Sequence, residues 1–108
     1  MKWAFHPEAE TEFYATIDYY EECESGLGED FSIEVQLTIQ NILAHPSAWP
    51  IVEDDVRRCL TSRFPYGVLY SIETDEVFIL AVMHLNRNPD DALQTQQMKA
   101  IFLCLQEI

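Results

Sequence analysis

Between residues 7 and 44 the apolar positions recur every three or four residues, and beyond residue 56 they crowd into runs with a period of two. Ala9, Phe13, Ile17 and Tyr20 fall on one side of a helix, and Phe31, Val35, Ile39 and Ile42 repeat the spacing. His6-Pro7 precedes the first of these, because proline suits the first helical turn and holds the residue before it extended. In ESGLGED, Gly26 and Gly28 end the first helix, and Glu29 and Asp30 suit the positive end of the next helix dipole. The prolines of AHPSAWP stop the second helix. A connection this short makes the pair an antiparallel helical hairpin.

The runs VRRCLTSR (56–63), YGVLYSI (66–72) and EVFILAVMH (76–84) predict three consecutive antiparallel strands, the last two joined at ETD. Alternation in the middle run sets Tyr66, Val68, Tyr70 and Ile72 on one face and Gly67, Leu69 and Ser71 on the other. VFILAVM is apolar on both faces, as suits a central strand. KWAF (2–5) is a short strand that can join the sheet. The order β-α-α-β-β-β is an α+β fold in two layers, with the hairpin on one face of a small sheet. In the last segment, Met98, Ile101, Phe102, Leu105 and Ile108 share one side of a helix, while AIFLCL equally suits an edge strand. Residues 1–89 therefore read as one domain, and residues 90–108 as an extension that packs on the domain or on a partner, a homodimer contact included. Left uncovered, it would expose an apolar patch.

A chain of 108 residues, 48% hydrophobic, is large enough for a single core. Its longest apolar runs fall far below the roughly 18 residues of a membrane span, and WAFHPEAE lacks the apolar stretch of a signal peptide. A cytoplasmic protein is expected. Cys23, Cys59 and Cys104 are odd in number and contain no CxxC, so they are expected to be reduced thiols, each a small core residue. The sequence suggests no metal site and no cofactor. Glu8, Glu12 and Glu22 read as a solvated helix face.

Charge changes the picture. The chain has 6 Lys+Arg against 19 Asp+Glu, a net charge of −13, and residues 1–30 hold nine of the acids. That balance opposes a polyanion, so direct nucleic-acid binding is not expected. Trp49, Phe64, Tyr66 and Tyr70 accordingly read as packing residues rather than base-stacking ones. Yet Arg57, Arg58 and Arg63 stand within one short stretch, with Arg87 beyond it. On a strand over 56–63, Arg57 and Arg63 share a face, and Arg58 points the other way with Val56 and Leu60. One of Arg57 and Arg58 is expected to pair with the acids at 53–55 or with a helix carboxylate.

FHPEAETEFYATIDYYEECESGLGEDF, HPSAWP and VRRCLTSRFPYGVLYSIETDEVFILAVMHLNRNP, over about residues 3 to 89, resemble the RelE/ParE superfamily, the toxins of type II toxin-antitoxin systems. The joint presence of FPYGVLY, ILAVMH and RNP carries the resemblance. YYEE, GLG, WP and ILAVMHLNRNP bring it nearest to the ParE branch. The resemblance implies the same β-α-α-β-β-β fold and a bacterial cytoplasmic toxin, of the kind linked to growth inhibition and plasmid stabilisation, held by a cognate antitoxin. For the ParE branch it implies inhibition of DNA gyrase by binding, with Arg57, Arg58, Arg63, Tyr66 and Arg87 meeting the target or the antitoxin. For the RelE branch it implies a ribosome-dependent, metal-independent mRNA endonuclease, with His84 transferring the proton and Arg63 and Arg87 on the phosphate. An inactive toxin-like binding module is the further alternative. RelE-like nucleases are strongly basic, with lysines on the sheet, whereas this chain has only Lys2 and Lys99, neither of them there. A tail lying across Arg57 and Arg63 would mute toxicity.

Overall fold

The computed structural model describes residues 1–85. Its elements run β1 (Lys2–Phe5), α1 (Pro7–Cys23), α2 (Leu27–Ala44), β2 (Ile51–Glu53), β3 (Val56–Leu60), β4 (Tyr66–Glu73) and β5 (Glu76–His84). His6 caps α1 from an extended backbone, its Nδ1 accepting the Glu8 amide at 3.2 Å, and Pro7 opens the helix where no intrahelical donor is needed. Gly26, with φ of 89°, supplies the left-handed turn before α2 that a residue with a Cβ adopts only with strain. The Glu21 carboxylate closes the turn by accepting the amides of Gly26 and Gly28 at 2.9 and 3.1 Å. At Gly28 the helices approach so closely that an added Cβ would stand 2.5 Å from the Ile17 carbonyl oxygen.

The sheet is mixed, in the order β1-β5-β4-β3-β2. β1 joins β5 in parallel, and the remaining pairs are antiparallel. Two sequence expectations are revised. A further short edge strand, β2, precedes β3 and turns back through Asp54, whose φ of 49° an aspartate tolerates well. The strand predicted over 56–63 ends at Leu60, because the Thr61 hydroxyl donates to the Phe64 and Tyr66 carbonyls and folds the chain into a tight loop.

The helices cover one face. Phe31 of α2 meets Phe13, Tyr20, Phe64 and Tyr66 with ring centroids 4.9 to 6.1 Å apart, so one aromatic cluster ties both helices to β4 and to the loop before it. Tyr66, Val68 and Tyr70 face that cluster and are fully buried. Leu69 and Ser71 point to the opposite face, as the alternation requires. A register shift between Leu69 and Tyr70, opposite Ile79 to Ala81, inserts one residue into β5 and keeps the two strands in step on both sides of it.

Candidate partner-binding surface

The arginines predicted as a set are placed by different devices. Arg57 pairs with Tyr70 across the sheet and turns toward the helices, where its Nη1 donates to the carbonyls of Trp49 at 2.7 Å and Ser47 at 3.1 Å. The Tyr70 hydroxyl donates to the Pro46 carbonyl in the same loop, so residues 46–49 are clamped at three carbonyls. Burial pushes the Tyr70 phenol up to about 12, against the opposing pull of the Arg57 charge.

Arg58 points to the other face. Its aliphatic stem lies across Gly67, where a Cβ would meet Arg58 Cδ at 2.9 Å, so the glycine is what lets the stem lie flat. Among the described residues neither Arg57 nor Arg58 forms an ion pair, which corrects the expectation of a bridge to residues 53–55 or to a helix acid. The cation that meets a helix carboxylate is Arg63. Its Nε lies 3.6 Å from Glu34 Oε1, and its amide donates to the same oxygen at 3.3 Å. Arg63 does not share a strand face with Arg57, since it stands in the loop that the Thr61 hydroxyl closes. Its side chain is 66% exposed, and the guanidinium carbon sits 5.8 Å from the Phe64 ring centroid.

His84 closes β5 opposite Tyr66, with the two rings edge to face at 5.3 Å. Both residues are buried. A partner would have to open the core to touch Tyr66. Arg87 lies outside the described residues, as do Cys104 and the extension over 90–108. Arg58 and Arg63 are thus the two described arginines from the predicted set whose charged ends are not used to hold carbonyls, and they stand on the sheet's second face and on the β3–β4 loop respectively.

The acidic helix face also needs correction. Glu12 is only 7% exposed, its Oε2 has no hydrogen-bond partner among the described residues, and desolvation, aided by Glu8 one turn earlier, raises its pKa to about 7. Glu12 and Thr16 continue the stripe that starts at Ala9, a signal available in the sequence but overridden there by the charge. Glu34 is likewise buried, between Phe31 and Thr38 on the inner side of α2. Cys59 is buried, with its thiol pushed up to about 11 by desolvation, whereas Cys23 is exposed rather than a core residue. Among the described residues no group of three His, Cys, Asp or Glu is placed to hold a metal ion.

A family profile described as the ParE toxin of the type II toxin-antitoxin system, parDE, matches residues 4–89. Comparison with curated proteins gives no match. Among solved structures, the fold is similar to a chain described as the chromosomal ParDE TA system from P. aeruginosa, with a TM-score of 0.59 and 18% identity, covering 78% of this chain and 95% of that one.

Proposed function

Since the chain belongs to the ParE toxin family of type II toxin-antitoxin systems, we propose that it arrests bacterial growth from the cytoplasm by binding a protein target, DNA gyrase, and that a cognate antitoxin neutralises it. The observation that carries binding over RNA cleavage is the burial of His84 against Tyr66 on the helix side of the sheet. A group that moves a proton to or from a ribose phosphate must reach it within hydrogen-bond distance. The net charge of −13 supports the same reading, because a ribosomal RNA target would repel the chain at long range. Arg58 and Arg63 are the described cations we assign to the target or the antitoxin.

The test is expression in bacterial cells with and without the antitoxin, alongside a supercoiling assay with purified gyrase and this chain. Growth arrest with a DNA-damage response and lost supercoiling supports the proposal. Translation arrest with cut mRNA would instead assign the RelE-like endonuclease activity, and unaffected growth would assign an inactive binding module.

A further inference from the structure

The two helices bury one side each against the sheet and expose the outer side of the hairpin. There Tyr14 is 56% exposed, Ile33 47% and Leu37 58%. Ile33 and Leu37 stand one turn apart on α2, where side chains four residues apart are neighbours at about 6 Å. Tyr14 joins them from α1. Gly28 backs onto Ile17 and Glu21, and Phe31 meets both Phe13 and Tyr20, so in an antiparallel pair Ile33 comes level with Tyr14. Single apolar side chains on a surface need no explanation, but three gathered over one helix pair form a patch that a partner can cover.

The charge around the patch decides what suits it. Glu10 and Asp18 lie one turn to either side of Tyr14, and Glu29 and Asp30 lie one turn before Ile33; all four are exposed. No lysine or arginine occurs between Lys2 and Arg57, so neither helix carries a cation of its own. Arg63, which reaches α2 from the β3–β4 loop, is met there by Glu34. Occupants of like sign are disfavoured: a nucleic acid, an anionic membrane, and a second copy of this chain with its own net charge of −13. We propose that the outer side of the α1–α2 hairpin is a docking surface for a basic amphipathic segment of a partner protein. Its apolar side chains cover Tyr14, Ile33 and Leu37, and its lysines or arginines meet the surrounding carboxylates. Arg58 stands on the opposite face of the sheet, so a partner held there leaves this surface open.

The test uses the full chain and two synthetic peptides, and no part of it depends on the toxin reading. One is a helical peptide of leucine and lysine with its leucines on a single side, and the other carries glutamate for each lysine. Calorimetry is expected to show the lysine peptide binding at least tenfold tighter, with amide chemical shifts moving around Tyr14, Ile33 and Leu37 rather than on the sheet. Ile33→Ser with Leu37→Ser should weaken that binding at least tenfold while near-ultraviolet dichroism holds. Glu10→Gln with Asp18→Asn should weaken it and flatten its dependence on salt. Glu73→Gln with Asp75→Asn removes as much charge from the exposed β4–β5 turn and should leave it unchanged, and Arg58→Glu should not weaken it. Failure of the lysine peptide to bind overturns the proposal. So does equal weakening by the two charge-neutralising pairs, which would mean attraction to net charge alone, or shifts confined to the sheet, or undiminished binding by the folded Ile33 and Leu37 variant.

Discussion

Arg57 and Arg58 are neighbours in the chain and belong to opposite faces of the sheet: one holds the carbonyls of Ser47 and Trp49 on the helix side, and the other lays its stem across Gly67 on the far side. Two adjacent cations therefore have separable roles. Arg57→Met retains much of the stem and removes the donors, leaving two carbonyls without their charged partner. A loss of about 1–3 kcal/mol in urea unfolding is expected. Arg58→Met should stay within about 0.5 kcal/mol of the parent. Equal losses in the two variants would contradict the assignment.

Reversing charge at the two available arginines tests the binding role directly. Arg58→Glu and Arg63→Glu are expected to weaken growth arrest or antitoxin capture at least tenfold, measured by plating efficiency and by titration calorimetry. Arg63→Ala removes the cation beside the buried Glu34 carboxylate and leaves it the amide of residue 63, so a loss of about 1 kcal/mol and a small fall in the thermal midpoint are expected. Arg63→Glu sets a second carboxylate beside Glu34 and should lower the midpoint modestly. Full toxicity in both charge-reversal variants would place the partner surface elsewhere.

Glu12 makes stability depend on pH in an unusual direction for an acid. Its folded pKa of about 7 exceeds the ordinary 4.5, so the folded chain binds this proton more tightly than the unfolded chain does. The contribution is fully present below about 4.5 and is lost as pH rises through 7. Glu12→Gln cannot ionise; it should therefore be more stable than the parent by about 1–3 kcal/mol at pH 8 and differ little at pH 4.5. Chemical denaturation at the two pH values reads this, and a gain of equal size at both would mean that ionisation is not the cause.

Gly28→Ala places a methyl group against the Ile17 carbonyl oxygen and the Glu21 side chain at the crossing of α1 and α2. Overpacking of that kind costs about 1–3 kcal/mol, more than the roughly 1 kcal/mol that alanine returns in helix propensity. The variant should unfold earlier in urea. A variant more stable than the parent would show that the helices can separate without penalty.

The local elements were readable because their signals are local. The stripe from Phe31 to Ile42 became the buried side of α2, His6-Pro7 became a cap, and alternation in YGVLYSI divided β4 between two faces. The chain's place in the ParE family was likewise carried by short motifs. Two features were not readable. β2 holds only three residues and exists by pairing with β3, and the Thr61 hydroxyl ends β3 through bonds to carbonyls further along the chain. Glu12 stands on the stripe of Ala9, but its charge masked that signal, and its neighbours submerge it all the same.

The same division runs through the candidate surface. Sequence alone determined that most of the cations lie in the β half of the molecule and that Arg57 and Arg58 point in opposite directions, because side-chain parity along a strand is a property of the backbone. Tertiary structure decided which direction led to the helices, and hence which guanidinium would hold carbonyls and which would be left for a partner. It also joined Arg63 to Glu34 across 29 residues of chain, since a loop's contacts depend on where the rest of the chain folds and not on its own periodicity.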